Sequence, residues 1–316
     1  MSDVALSLDD VRAAAARIAP HAVVTPVQRA AALDAQAGAQ LFFKCENLQR
    51  GGAFKFRGAC NAVWALDDAA AARGVVTHSS GNHGNALALA AATRGMAAHV
   101  VVPEGAVRAK VEAIAAAGAV LHRCAPTQAA REAMTDEVQA ATGATLVHPY
   151  MDLRVMAGQG TAALELLRQA GGLDALIVPV GGGGLVSGCA TAAHGLDARI
   201  RVFAAEPEGA DDARQSLARG ERVTSVIPDT LCDGLRATLG APNFALMRAH
   251  DVEVLAVDDA ETVAAMKLLW QHLKLVVEPS SATVFAALLR YRGRFAGQRV
   301  GVVLTGGNVD LDALPW

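Results

Sequence analysis

Strand-like and helical segments alternate along nearly the whole chain. Short apolar runs typical of buried strands begin near Val75, Ala98, Ala119 and Thr145, and alanine-rich segments with helical periodicity separate them. The second half repeats the pattern, with strand-like runs at 175–180, 200–205, 252–257 and 299–304. Alternation of this kind predicts parallel sheets covered by helices on both faces, which is an α/β fold.

Polar or glycine-rich segments come directly after several of the predicted strands. They are Ser79-Ser80, Gly181–Gly184, Glu206 and Thr305, and Lys55 follows the strand-like run 41–44 more loosely. Ligands of open parallel sheets bind beyond the carboxyl ends of the strands. We therefore expect segments that are far apart in the sequence to converge on one side of the molecule.

Lys55 lies in the segment GGAFKFRGA, residues 51–59, between a predicted strand and a predicted helix that runs from Arg57 to Arg73. Phe54 and Phe56 flank this lysine and would shield it in part from water. Desolvation disfavours the ammonium form and favours the neutral, nucleophilic amine that Schiff-base formation requires. The alternative is an ordinary solvated lysine beside a loop.

The glycine run of Gly181, Gly182, Gly183 and Gly184, followed by Leu185, connects a predicted strand to a predicted helix. Such a turn lets backbone N–H groups approach an anion closely, and the helix dipole favours a phosphate there. A plain tight turn and a dinucleotide site are alternatives. The spacing differs from G-x-G-x-x-G, although Glu206 lies roughly where a ribose-binding acid would be expected.

Two further polar turns follow predicted strands. The segment SSGNHG, residues 79–84, could hold a carboxylate at a helix N-terminus, or Ser80 or Asn82 could simply cap that helix. The segment TGGN, residues 305–308, places the Thr305 hydroxyl after the last strand, where a generic loop is the alternative.

Composition excludes several classes of protein. The chain has 316 residues, of which 53% are hydrophobic and 19% charged, with a formal net charge of −3, so general disorder is excluded and no basic cluster indicates nucleic acid. The apolar runs fall far short of the ~20 residues that a membrane-spanning helix needs. The five cysteines are widely spaced and never form CxxC, and the N-terminus lacks a secretory signal pattern, so we expect a cytoplasmic protein.

The segments GAFKFRGA, SSGNHG, GGGGL and TGGN occur in the order and spacing of the fold-type II pyridoxal-phosphate (PLP) enzymes. The chain most resembles the serine racemase and serine/threonine dehydratase family, from Thr25-Pro26 to Asn308-Val309-Asp310. The resemblance implies two parallel-sheet α/β domains of the tryptophan synthase β type. A small domain, residues 69–149, would be inserted into a large PLP-binding domain made of residues 1–68 and 150–316. It also implies a homodimer.

The resemblance also implies roles for individual residues. Lys55 would bind PLP covalently, and the remaining cofactor-binding residues would be Phe54, Asn82, Gly181, Gly182, Gly183, Gly184, Leu185 and Thr305. The substrate would contact Ser79, Ser80, Asn82, His83 and Arg131, although Arg131 alone could be a surface charge. Mg²⁺ or Ca²⁺ would bind Glu206, the Ala210 carbonyl and Asp212, for which a solvated acidic loop is the alternative.

The activity implied by the resemblance is that of a PLP-dependent ammonia-lyase. It would convert an L-β-hydroxy amino acid, of the L-serine, L-threonine, 3-hydroxyaspartate or 3-phenylserine type, to a 2-oxo acid and ammonia. Lys55 and Ser80, acting on opposite faces of a carbanion, would alternatively make the chain a racemase. A β-replacement synthase of the cysteine synthase type is a third alternative, although the run 55–59 favours the dehydratases.

A protein that only binds a metabolite is an alternative from a different class. The presence of Lys55, Ser80 and Thr305 together argues against it.

Ala53 and Met151 depart from the polar residues common in relatives, and they predict a less polar substrate pocket that could favour threonine or a 3-aryl-serine over serine.

Overall fold

The computed structural model describes residues 5–316, and within this range the strands form two sheets. The larger sheet has six strands in the order β1-β2-β10-β7-β8-β9, and the smaller has four in the order β5-β4-β3-β6. All neighbouring strands are parallel except β1 and β2. The strands are β1 Val27–Gln28, β2 Gln40–Cys45, β3 Val75–His78, β4 Ala98–Pro103, β5 Val120–Cys124, β6 Thr145–Leu146, β7 Ala175–Pro179, β8 Arg201–Pro207, β9 Glu253–Val257 and β10 Arg299–Leu304.

Helices connect the strands and pack on the sheets. In the described part of the chain they are α1 Leu8–Ile18, α2 Ala31–Ala37, α3 Lys55–Trp64, α4 Asp68–Arg73, α5 Asn82–Thr93, α6 Arg108–Ala116, α7 Gln128–Thr142, α8 Leu153–Ala170, α9 Gly184–Leu196, α10 Asp212–Arg219, α11 Ala241–Ala249, α12 Asp259–Leu273 and α13 Pro279–Arg290. Short 3-10 turns follow several strands.

The central strands of the larger sheet are buried on both faces. Ile177 and Val302 lie in one hydrophobic cluster with α12 and α13, whereas their neighbours Leu176 and Val303 lie in the other with α8 and α9. Successive side chains of a strand point to opposite faces, so these apolar runs require a helical layer on each side. The α/β prediction, with a parallel sheet between helices, is confirmed.

The smaller sheet is formed by one continuous stretch of chain. Its strands lie between Val75 and Leu146, whereas the larger sheet takes β1 and β2 from before this stretch and β7–β10 from after it. This topology agrees with an inserted small domain, and the boundaries at residues 69 and 149 stay a prediction. No helix in residues 5–316 is long and apolar enough to cross a membrane.

The single helix predicted from Arg57 to Arg73 is wrong. Helix α3 ends at Trp64, and α4 begins at Asp68 after a short break. The side chain of Asp67 accepts a hydrogen bond from the Ala70 N–H and so caps a new helix. Aspartate is among the best N-cap residues, and its local hydrogen bond ends the helical run that the alanine-rich sequence would otherwise continue.

Candidate active site

Lys55 is the first residue of α3 and is half-buried. Its Nζ donates a hydrogen bond to the Pro149 carbonyl at 3.2 Å and lies 5.0 Å from the centroid of the Phe54 ring. Burial lowers the pKa of Lys55 to about 8, against the opposing effect of the Glu278 carboxylate. A substantial fraction of this amine is therefore neutral at mildly alkaline pH, as nucleophilic attack requires.

The segment before Lys55 is bonded directly to the loop after β10. The Phe54 N–H donates to the Thr305 carbonyl at 2.9 Å, and Ala53 forms an isolated antiparallel bridge with Gly306. Thr305 is buried. Two segments from opposite ends of the chain thus lie side by side, and the Thr305 hydroxyl is placed beside the loop that carries Lys55.

The glycine run forms a buried turn at the N-terminus of α9. An added Cβ would lie 2.4 Å from the Tyr150 ring at Gly182, and Gly183 has φ +91°. Larger side chains are therefore excluded at both positions. The N–H groups of Gly181, Gly182 and Gly183 have no acceptor within residues 5–316. Buried donors at the N-terminus of a 13-residue helix fit a phosphate group.

The turn between β3 and α5 contains Ser79 and Ser80. Gly81 is the N-cap residue of α5 and no side chain caps this helix, so the alternative that Ser80 or Asn82 serves as its cap is wrong. The backbone N–H groups of Asn82, His83 and Gly84 have no acceptor among the described residues. This helix start offers the donors that a carboxylate needs.

The side chain of His83 is buried behind this turn. Its Nε2 lies 3.3 Å from the Val147 carbonyl, which can only accept, so in the neutral ring the proton is on Nε2. Burial, with the charge of Lys55, lowers the pKa of His83 well below its ordinary value. A carboxylate would consequently meet the backbone N–H of His83 rather than its unprotonated Nδ1.

Asn82 links this turn to the larger sheet. Its Nδ2 donates to Glu278 Oε1 and Oε2 at 3.0 and 3.2 Å, and its Oδ1 accepts from Asn308 Nδ2 at 2.9 Å. Glu278 is buried, and burial raises its pKa to about 7, with Asp233 adding to the rise. The sequence analysis missed Glu278, whose only local signal is an isolated acid between an apolar run and Pro279.

Arg131 lies on α7 near His78. Its Nε is buried and has no hydrogen-bond partner in the described chain. Burial lowers the pKa of His78 at the end of β3, and the Arg131 charge acts in the same direction while that of Glu132 opposes it. The ring centroids of His78 and His148 are 5.4 Å apart. Arg131 is thus the positively charged side chain beside His78, whose ring in turn lies against that of His148.

The tautomer of His148 is set by the backbone. Its Nδ1 accepts from the N–H groups of Tyr150 and Met151, at 3.3 and 3.1 Å. Burial, followed by the charges of His78 and Lys55, lowers the pKa of His148 to about 4, so the ring is neutral at pH 7. Its Nε2 therefore carries the proton and is a donor.

The residues predicted to bind a cation lie at the end of β8, which contains Glu206, and in the segment that follows it. Glu206 and Asp212 are buried, and their oxygens accept only backbone N–H groups, from Ala213 and Arg214 and from Leu239 respectively. No group of three or more His, Cys, Asp or Glu side chains suited to a metal occurs in residues 5–316. Two buried carboxylates without a basic partner nevertheless fit a hard divalent cation that also takes the Ala210 carbonyl.

The two residues that depart from the family pattern do not face each other. Ala53 is buried against Gly306, and Met151 packs on Gly240 while staying partly exposed. Neither contact indicates which substrate side chain the pocket takes.

The arrangement defines a class of protein. A half-buried lysine of lowered pKa, a phosphate-binding turn at a helix N-terminus and a hydroxyl after the last strand together fit PLP. The family model described as pyridoxal-phosphate dependent enzyme matches residues 18–306. The chain belongs to this family.

Similar proteins narrow the class further. The chain is 50% identical to a beta-hydroxyaspartate dehydratase of Paracoccus denitrificans, over 98% of each sequence. It is 43% identical to an L-threo-3-hydroxyaspartate ammonia-lyase of Saccharomyces cerevisiae, over 96% of this chain and 93% of that protein. The structure of maize serine racemase superposes with a TM-score of 0.95 at 45% identity, covering 98% of this chain and 95% of that one. The predicted fold-type II architecture and enzyme family are confirmed.

Proposed function

We propose that this chain is a PLP-dependent ammonia-lyase whose preferred substrate is a 3-hydroxyaspartate. The overall reaction converts the β-hydroxy amino acid to a 2-oxo acid and ammonia. The names of two relatives that match nearly the full chain support the lyase class and this substrate.

The described residues supply the base for the first step of the reaction. Bound PLP supplies an electron sink for the bonds at the substrate α-carbon. The Lys55 amine, neutral in part because it is buried, removes the α-proton. The β-hydroxyl leaves with a proton as water, which gives an enamine. Hydrolysis of the imine form of this enamine consumes one water and gives the 2-oxo acid and ammonia. A hydroxyl such as Thr305 beside the ring nitrogen, in place of a carboxylate, leaves a weaker sink that suits elimination.

The described residues also hold the substrate and cofactor in place. Free N–H groups at the start of α5 bind the α-carboxylate, and those of the glycine run bind the cofactor phosphate. Asn82 would contact the ring oxygen of the cofactor through its side-chain amide.

The unpartnered Nε of Arg131 is the observation that favours a substrate with a second carboxylate. A buried guanidinium nitrogen without an acceptor is costly, and a carboxylate would satisfy it. The Nε2 proton of His148 adds a neutral donor in the same region. L-serine, L-threonine and 3-phenylserine have no group that would meet these donors.

The test is 2-oxo acid release from 3-hydroxyaspartate stereoisomers, L-serine, L-threonine and 3-phenylserine. For Arg131→Met we expect kcat/KM for 3-hydroxyaspartate to fall about 100-fold, because one charge-assisted contact is lost, with a much smaller change for L-serine. Arg123→Met, at an exposed arginine of β5, is the matched control, and Lys55→Ala should be inactive. An equal loss with both substrates would remove the distal-carboxylate assignment.

A racemase is the second candidate function. Ser80 lies in the turn directly before Asn82, and the similarity to maize serine racemase extends over nearly the whole chain. A proton donor on the face opposite Lys55 would return the α-proton with inverted configuration.

Three further properties belong to the proposal. The enzyme binds Mg²⁺ or Ca²⁺ at Glu206, Ala210 and Asp212, where two buried carboxylates lack a basic partner. It is cytoplasmic, which the five free and buried cysteines support. It is a homodimer, which sedimentation of the purified enzyme would test.

A further inference from the structure

Glu278 is a buried carboxylate that the proposed reaction does not yet use. It precedes the first residue of α13, but its side chain does not cap that helix. No lysine or arginine among the described residues forms a salt bridge with it, and it is 3% exposed. An unpaired buried carboxylate is costly, so its retention calls for a role other than packing.

Among residues 5–316, the only side chain that donates to Glu278 is that of Asn82. The two residues connect the two sheets. Asn82 begins α5 after β3 of the smaller sheet, and Glu278 lies beside the loop that follows β10 of the larger sheet. The carboxylate also lies against Gly306, where an added Cβ would be 2.7 Å from Oε1. Glu278 therefore sits at the junction of the Asn82 turn and the loop that carries Thr305.

The hydrogen bonds fix the orientation of the Asn82 amide. Asn308 Nδ2 donates to Asn82 Oδ1, and both oxygens of Glu278 accept from a single nitrogen, Asn82 Nδ2. A flipped amide would place its oxygen against the carboxylate and its nitrogen against a donor, which are two repulsive contacts. Asn82 Nδ2 has two protons, so one remains available for another acceptor.

We propose that Glu278 is a positioning residue that holds the Asn82 amide with its second N–H directed at the ring oxygen of PLP. This inference rests on the proposed cofactor and goes beyond the proposed reaction. The contact is charge-assisted on the Glu278 side, which polarises the amide so that Asn82 Oδ1 accepts more strongly from Asn308, and the two bonds together hold the amide in this orientation.

The charges that face Glu278 come from three places. Lys55 lies on α3, and Lys110 of α6 is bonded to Asp233 in the loop before α11. Asp233 disfavours the Glu278 carboxylate, whereas Lys110 and the Asn82 hydrogen bond favour it. The pH profile of a Glu278 variant therefore also depends on the charges of Lys55, Lys110 and Asp233.

The experiment compares Glu278→Gln with wild-type holoenzyme by PLP affinity and by the absorption spectrum of the bound cofactor against pH. Glutamine keeps an oxygen for Asn82 and removes the charge. We expect the PLP Kd to rise about tenfold, the effect of weakening one charge-assisted bond, and the cofactor band or its pH midpoint to shift. Asp233→Asn removes a neighbouring carboxylate that does not contact Asn82. It should leave the PLP Kd unchanged and move only the pH midpoint, to lower pH, because Asp233 raises the pKa of Glu278.

A double-mutant cycle tests whether Glu278 acts through Asn82. In an Asn82→Ala background, Glu278→Gln should have no further effect on the PLP Kd or the spectrum. Equal effects in both backgrounds, or an unchanged spectrum in the single variant, would overturn the proposal. If Glu278→Gln does not fold, Asn308→Ala removes the opposite restraint on the amide and should shift the spectrum in its place. A wild-type protein without a PLP chromophore would instead refute the proposed function.

Discussion

At the scale of single residues, the position of a residue in the candidate site could be predicted wherever that residue lies in a compact motif. Lys55, the glycine run and Thr305 each follow a strand within a short polar segment, and parallel strands bring such segments together. Glu278 could not be found in this way, because its partner Asn82 is 196 residues away. A hydrogen bond between distant segments leaves no periodic trace in the sequence. The tautomer of His148 was hidden for a different reason, since it depends on the backbone conformation of the next residues.

Ser80 separates the two candidate functions. Racemisation needs a proton donor on each face of the carbanion, whereas elimination from an L-substrate needs only Lys55 and a protonated leaving group. Ser80→Ala should therefore abolish L-to-D conversion and any reaction of D-substrate, while L-dehydration continues at a reduced rate. A lost acid–base group is worth about 10²–10⁴-fold, so chiral chromatography of serine and 3-hydroxyaspartate incubations will resolve the difference.

The control for this prediction is Ser79→Ala, at the neighbouring hydroxyl, whose side chain accepts only a weak hydrogen bond from the Gly81 N–H. If Ser80→Ala reduces racemisation and elimination by the same factor, Ser80 holds the substrate and the racemase function is excluded.

At the scale of elements, the sequence predicted where strands and helices lie but not how α3 is held. The run from residue 57 to 73 has helical periodicity throughout, and only the local competition of Asp67 for the Ala70 N–H divides it. The first turn of α3 is fixed by a buried ion cluster. Arg57 donates to Glu46 at 2.7 and 2.8 Å and to Glu165 of α8 at 2.8 Å, and both Arg57 and Glu46 are fully buried. This cluster sets the direction in which Lys55 enters the site.

Glu46→Gln should destabilise the protein substantially. The change leaves Arg57 buried with only Glu165 to compensate it, and breaking a buried pair costs about 3–5 kcal/mol. Urea unfolding at fixed PLP concentration measures the loss. Asp68→Asn, which breaks the exposed pair with Arg94, is the matched control and should change the free energy of unfolding by at most about 1 kcal/mol.

The pH dependence of this effect has a definite sign. Burial alone would raise the pKa of Glu46, but the charge and hydrogen bonds of Arg57 outweigh it and hold that pKa below its ordinary value. A carboxyl with a lowered folded-state pKa contributes stability above its unfolded pKa of about 4.3 and loses it as the pH falls through the folded value. The difference between wild type and Glu46→Gln should therefore shrink only in acid. A difference that is constant down to acidic pH would contradict the assigned charge.

At the scale of the whole molecule, the alternating pattern predicts parallel pairing of the strands, and the family resemblance implies two domains, but neither predicts the strand orders. Strand β10, the last in the chain, lies between β2 and β7 at the centre of the larger sheet. Apolar strands of similar composition are interchangeable in a sequence, so their order follows from packing among all the helices at once. That order places Thr305 beside the loop that carries Lys55. Hydrogen bonds through Leu239 and Gly240 join the acidic loop to the glycine run.

The acidic loop should stabilise the enzyme through a bound cation. Asp212 accepts from the Leu239 N–H at 2.7 Å, and the next residue, Gly240, donates to the Gly182 carbonyl at 3.1 Å. A cation at Glu206, Ala210 and Asp212 would therefore support the phosphate-binding turn as well as its own loop. Binding to the folded state alone adds about 2.7 kcal/mol when the cation is at 100 times its Kd. We expect chelation of the holoenzyme to lower its Tm by several degrees and to raise its PLP Kd, and Mg²⁺ or Ca²⁺ to restore both.

The matched variants for the cation are Asp212→Asn and Asp211→Asn. Asp212→Asn removes a proposed ligand, so the Tm of this variant should no longer respond to chelator or to added cation. Asp211 is bonded to Arg214 and Gln215 and lies outside the proposed ligand set. Its variant should keep the wild-type response, because the cation would still meet both buried carboxylates.

A wild-type Tm that responds to neither treatment would mean that the two carboxylates are held by backbone N–H groups alone. The support for the glycine run would then come from the Leu239–Gly240 segment itself, and PLP affinity would be independent of divalent cations.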